Sequence, residues 1–189
     1  MSADVMEQHR QQVLARARGK VLEVGFGTGL NLPFYPATVE QLTALDTNPG
    51  TLAIAERRLA KTTIPVEKVT LNGESLPMVA ASFDTVVSTW TLCSIARVSQ
   101  ALNEIHRVLK PDGKFLFIEH GLSPDRSVRV FQNRLNGWQK AIADGCNLNR
   151  NIPRLIEDAD FEILELESFY AKGLPGFMGY FYKGIAQKR

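Results

Sequence analysis

The chain has 189 residues, 44% of them hydrophobic and 22% charged, enough for one ordinary domain and too few for two full ones. Lys and Arg number 22 against 20 Asp and Glu, a formal net charge of +2, so no strong nucleic-acid footprint is expected. Two cysteines cannot form a disulfide scaffold, and the sequence has no run of roughly 18 apolar residues of the kind that spans a bilayer. Residues 1–20 are polar and lack the apolar core of a signal peptide, so a cytoplasmic location is the expectation.

In chain order, Val5 to Arg18 reads as a helix with Val5, Val13, Leu14 and Ala17 on one side, stopped by Gly19. Lys20–Val24 reads as a strand, followed by a glycine cluster and then by a helix. Gln41–Asp46 is a second strand. Pro49 suits the first turn of a helix capped by Thr47 or Asn48, which runs to about Lys61 and buries Leu52, Ala55 and Leu59. Val66–Leu71 and the β-branched Phe83–Thr89 are strands three and four. Val98, Leu102, Ile105 and Leu109 recur at helical spacing, and Lys110-Pro111-Asp112-Gly113 ends that helix with a turn. Lys114–Glu119 is apolar almost throughout, as suits a strand covered on both faces. Phe131, Leu135, Trp138 and Ile142 mark another helix, and Ile152–Ala159 a short one. Phe161–Phe169 and Phe177–Ala186 are two late strands.

This alternation predicts one α/β domain over residues 1–189: a Rossmann-like, doubly wound and mostly parallel seven-stranded sheet. Residues 1–19 form its N-terminal helix, and about 123–151 a helical insertion near the sheet edge.

The most informative stretch is Val21–Gly29, VLEVGFGTG. Glycines after a strand let the backbone turn sharply and let a ligand approach closely, at the edge where open α/β sheets bind ligands. A dinucleotide loop needs Gly-x-Gly-x-x-Gly. From Gly25 the third glycine falls on Leu30, and from Gly27 on Leu32, so a nicotinamide oxidoreductase is disfavoured.

The spacing present, Glu23-x-Gly25-x-Gly27-x-Gly29, resembles the first motif of class I S-adenosylmethionine (SAM)-dependent methyltransferases. Asp46 ends the second strand, where an acidic residue can accept hydrogen bonds from ribose hydroxyls, and Thr47 follows it. Asn72-Gly73-Glu74-Ser75-Leu76-Pro77 before Ser82-Phe83-Asp84 is similar to the family's adenine loop, with Asn72 where Asp is common. Glu104–Gly113 (EIHRVLKPDG) resembles its helix-and-turn motif, with Asp112 for the first Gly. The resemblance implies S-adenosyl-L-methionine as cofactor, held by Glu23, Gly25, Gly27, Gly29, Asp46, Thr47, Asn72, Gly73, Glu74 and Thr89. It also implies an antiparallel last strand beside the fifth.

Asn31–Pro36, Leu92–Ile95, Glu119-His120 and Asp144–Leu148 are similar to strings in the small-thiol S-methyltransferases. Those relatives carry an N-terminal apolar anchor that this sequence does not show. The resemblance implies methyl transfer to a small-molecule thiol. A phospholipid or other amine is the alternative acceptor, because phospholipid N-methyltransferases share the opening motif. A non-catalytic SAM-binding partner subunit is a further alternative.

His120, at the end of the fifth strand, is the candidate general base. Trp90, Cys93, His120 and Asn147 are candidate acceptor-pocket residues. Phe131, Trp138, Phe169, Tyr170, Phe177 and Tyr180 are further aromatics that could line it, with Leu174–Tyr182 as a lid or wall. At helical spacing Phe131 and Trp138 read as core. Cys93 and Cys146 read as small buried hydrophobes, His9 and His106 as surface or packing residues, and Lys183–Arg189 as a solvated basic end. No metal ligand set is apparent.

Overall fold

The structure is a computed structural model describing residues 3–143 and 145–189; the side chains of residues 3–5 and of Leu52 lie outside that description. The expected burial of Val5 and Leu52, and the position of Asp144, therefore fall outside the described residues. The strands are β1 (Gly19–Val24), β2 (Val39–Asp46), β3 (Val66–Thr70), β4 (Phe83–Thr89), β5 (Leu109–His120), β6 (Phe161–Tyr170) and β7 (Tyr180–Lys188). They form a seven-stranded sheet in the order β3-β2-β1-β4-β5-β7-β6. β1 to β5 pair in parallel, and β7 runs antiparallel to both β5 and β6. The helices are α1 (Ala3–Leu14), α2 (Pro49–Leu59), α3 (Val98–Val108), α4 (Arg126–Ile142) and α5 (Ile152–Asp158).

The near-continuous apolar runs of the central strands follow from burial on both faces. Successive residues alternate sides, so Val21 joins one core layer and Leu22 the other. The first layer sets Val21, Leu42, Val87 and Leu116 under Val13 and Leu14 of α1. The second sets Leu22, Val86, Phe115 and Phe117 against Leu102 and Ile105 of α3 and Ile156 of α5. Each fully buried Leu or Phe contributes roughly 1.5–3 kcal/mol relative to exposure.

Several local expectations are corrected. α1 ends at Leu14, and Gly19, with φ 62°, opens β1 instead of stopping the helix. The glycine loop is followed only by a 3₁₀ turn at Leu32–Phe34, because Pro33 and Pro36 leave no room for a longer helix. Of the two possible caps on α2, Asn48 is the one used, its side chain accepting from the N–H of Gly50 at 2.8 Å. Lys110–Gly113 lies within the span of β5, where the pairing with β4 skips from Leu109 to Lys114. Lys183 is not part of a solvated end. It is buried in β7, its Nζ 2.6 Å from Gln12 Oε1 and 2.9 Å from Glu167 Oε2, and it ties α1 to the sheet.

The largest correction concerns α4. Gln132 and Gln139 are its buried residues, whereas Phe131, Trp138 and Ile142 are exposed. What lies beneath this helix is loop backbone, not an apolar sheet face. Gln132 accepts from the N–H of Ser123 at 2.9 Å and donates to the carbonyl of Gly121 at 3.0 Å. An amide side chain satisfies such groups and an aromatic ring would leave them unpaired.

Candidate active site

Strand order reverses between β1 and β4, and ligands of open α/β sheets bind at that switch point, beyond the carboxyl ends of the strands. There β1 runs into a loop whose Gly25 and Gly27 have φ of 77° and 56°. A Cβ on Gly25 would stand 1.9 Å from Thr91 Oγ1, so only glycine fits. A Cβ on Gly27 would meet nothing within 4 Å and would project into open space. The loop is held by β2: the N–H of Gly25 donates to Leu45 O at 2.9 Å, and that of Gly27 to Asp46 Oδ2 at 2.7 Å. The other carboxylate oxygen of Asp46 accepts from the N–H of Asn48 at 2.9 Å.

A cavity of about 670 Å³ opens over this loop. Glu23, Gly25, Gly27, Asp46, Thr47, Asn72, Gly73, Glu74 and Thr89 line it. Gly29 does not; a Cβ there would point away from the cavity into the core, 3.1 Å from Leu32 and 3.2 Å from Phe26.

Glu23 is buried and accepts from Asn31 Nδ2 at 2.8 Å and from the Tyr35 hydroxyl at 2.7 Å. Burial pushes its carboxyl up to about 7, against the pull of those two hydrogen bonds. Arg10 reaches in from α1, its guanidinium 4.5 Å from the Trp90 ring centroid, and donates to Asn31 Oδ1. The sequence pattern does not single out Arg10, Asn31 or Tyr35 as site residues. Asn31 and Tyr35 stand in the quoted Asn31–Pro36 string, but nothing in α1 marks Arg10 as a site residue.

Glu74 lines the cavity yet gives its carboxylate to Arg97, accepting from its N–H and its Nε, each at 2.8 Å. The adenine-loop segment is fastened from α3. Glu104 accepts from the N–H of Leu76 at 2.7 Å, and Arg107 donates to the carbonyls of Leu76 and Met78 at 2.7 and 2.8 Å. Glu119, fully buried, accepts from Ser88 Oγ at 2.7 Å and from the N–H of Thr91 at 3.1 Å, and burial pushes its carboxyl up to about 7.

Of the acceptor candidates, Trp90 lines the cavity, at a φ of 56°, and packs edge-on against Phe181. Cys93, His120 and Asn147 are not in its wall. They cluster behind it: Asn147 donates its N–H and Nδ2 to Cys93 O at 2.8 and 3.0 Å, and Cys146 Sγ lies 3.9 Å from His120 Nδ1. Contact with the Cys93 thiol, and then with His120, holds the Cys146 thiol at about 5, while the same contact and burial push Cys93 up. His120 Nε2 is buried without a hydrogen-bond partner among the described residues. His9 stacks on Phe169 at 3.6 Å and His106 packs edge-on against Phe161, so both are packing residues.

A glycine cradle open where a Cβ would project, with a β2-terminal carboxylate beside it, is the nucleotide end of a Rossmann-like methyltransferase, and the donors and acceptors present fit S-adenosyl-L-methionine. The model of the methyltransferase domain family matches residues 22–117, and the chain belongs to that family. S-adenosyl-L-methionine is the cofactor that family and fold imply.

The chain is 37% identical over 155 residues to rat thiol S-methyltransferase TMT1B, covering 78% of this chain and 62% of that protein. It thus spans less than two-thirds of that relative's length. It is 27% identical over 186 residues to a phosphatidylethanolamine N-methyltransferase of Cereibacter sphaeroides, covering 92% and 87%. A SAM-dependent methyltransferase of Methanosarcina mazei shares the fold, with a TM-score of 0.71 at 21% identity over 100% of this chain and 98% of that one.

Proposed function

We propose that this chain transfers a methyl group from S-adenosyl-L-methionine to a small-molecule thiol. The observation that carries the reading is the 37% identity to a thiol S-methyltransferase, which extends well beyond the cofactor loop to 78% of the chain. When bound, the cofactor supplies a sulfonium methyl already activated toward displacement. The protein then has to align an acceptor with it and take the acceptor's proton.

Asp46, its oxygens fixed by two backbone N–H groups, keeps lone pairs free for the ribose hydroxyls. Trp90, which lines the cavity, is braced by Arg10 and packs against Phe181, and the His120 ring meets the same Phe181 ring edge-on. In this reading His120, with its unpartnered Nε2, is the group that takes the thiol proton.

The test is methyl transfer from isotopically labelled SAM to a panel of alkyl thiols, amines and phosphatidylethanolamine, run against pH with the wild type and His120→Gln. Labelled thioether, with a pH dependence altered in the variant, is the expected result. Transfer only to amines would replace this reading with the N-methyltransferase one, which the similarity to the phosphatidylethanolamine enzyme favours.

A further inference from the structure

The exposed face of α4 has no account in the methyl-transfer reading. Phe131, Trp138 and Ile142 are 56%, 65% and 60% exposed. Spaced by seven and four residues, they form one stripe along the helix, continued by the half-buried Leu135. Three large apolar side chains so exposed in one row mark an interaction surface.

The charge on the helix says what kind. Its 17 residues include Arg126, Arg129, Arg134 and Lys140 and no carboxylate. On a helical wheel Arg134 borders the apolar stripe, and the other three cations, also exposed, form the polar face roughly opposite it.

We propose that α4 is an interfacial helix that seats the protein on the surface of an anionic phospholipid bilayer. A basic helix with Trp and Phe on one stripe is the pattern that lies in the headgroup region, its rings among the acyl chains and its cations on lipid phosphates. A second copy of this chain is a poorer occupant, because packing two such stripes face to face would bring the two Arg134 side chains to one seam with no carboxylate on either helix to pair them. The docking is peripheral: among the described residues no helix is long and apolar enough to cross a membrane. The buried side of α4 is bonded to the segment behind the acceptor candidates, with the N–H of Leu148 donating to Asn136 Oδ1 at 2.7 Å. Seating α4 on lipid therefore brings the acceptor edge of the sheet to the membrane surface, where apolar acceptors concentrate.

The sequence supplies its own probe, for Trp90 is packed against Arg10 and Phe181 and Trp138 is the other tryptophan. The full chain is titrated with vesicles of equal parts phosphatidylcholine and phosphatidylglycerol, and with vesicles of phosphatidylcholine alone. Tryptophan emission and co-sedimentation are recorded, and the oligomeric state is measured by analytical ultracentrifugation. The expected result is blue-shifted, brighter emission and co-sedimentation with the anionic vesicles, weaker with phosphatidylcholine alone and weakened by salt. Phe131→Ser with Ile142→Ser keeps the reporter and lowers vesicle affinity by about tenfold or more. Arg134→Gln with Lys140→Gln removes most of the preference for anionic vesicles. All four side chains are exposed, so an unchanged thermal melt is expected of each variant. Emission and sedimentation unmoved by either vesicle would overturn the proposal. So would a wild-type dimer that the Phe131 and Ile142 substitutions convert to monomer without any vesicle binding.

Discussion

Asp46 is a carboxylate that does two things at once. It pins the glycine loop through the N–H of Gly27 and faces the cavity that the loop cradles. Charge-assisted hydrogen bonds of this kind contribute about 1.5–3 kcal/mol each. Asp46→Ala is therefore expected to weaken binding of SAM and of S-adenosylhomocysteine by about tenfold to a hundredfold in calorimetric titration. Affinity equal to the wild type would remove Asp46 from the cofactor site. Its position was readable in the sequence because an acidic residue closing the second strand, next to a glycine turn, has few other places to go. Glu23 was readable as a position but not in its partners. The hydroxyl of Tyr35 and the amide of Asn31 reach it only because the chain folds back through a 3₁₀ turn that no local spacing marks. Arg10 was not readable at all, since a single cation on a helix carries no sign of which loop it will meet.

Among the elements, α3 shows how a motif can serve a site it does not touch. Glu104 and Arg107 pair with each other one turn apart, and together they clamp Leu76 and Met78. The loop that begins at Asn72 is thereby held against the cavity. Arg107→Gln, which loses the two bonds to carbonyls, is expected to speed hydrogen exchange of the amides around residues 72–78 and to weaken SAM binding about fivefold. Unchanged exchange there would mean that the loop is held by something else. α4 teaches the opposite lesson about legibility. The period of its apolar residues correctly gave a helix, but periodicity reports only that two faces differ. Which face turns inward depends on what the rest of the chain sets beneath it, and here that is loop backbone calling for Gln132. The late strands were found, but β7 begins at Tyr180 and not at Phe177, because Gly173 to Gly179 turn the chain first.

At the scale of the whole molecule, the parallel sheet was legible because central strands buried on both faces must be apolar throughout, and because helices recur between them. The cost of that architecture falls on carboxylates trapped in the middle layer. Glu23 and Glu119 are each pushed up by burial to about 7, from 4.5 in the unfolded chain. Between those values the native state holds more protons than the unfolded one, so these two groups favour folding below about pH 4.5. Their contribution is lost as pH rises through 7. A shift of that size corresponds to at most on the order of 3 kcal/mol per group. Glu104, held low by its hydrogen bond from Arg107, acts the other way, its contribution being lost as pH falls below the usual carboxylate range. Cys146, lowered from 9 to about 5, gives a slope of opposite sign across pH 5 to 9, so the wild-type profile alone would mix the terms. The difference between Glu119→Gln and the wild type isolates one carboxyl. The amide resembles the protonated acid and can still accept from Ser88 or Thr91. Relative to the wild type, the variant is expected to gain stability from pH 5 to pH 8, by up to about 3 kcal/mol in urea denaturation. A difference that stays constant over this range would mean that Glu119 is ionised throughout, stabilised by the N–H groups of the loop after β4 more strongly than burial opposes it.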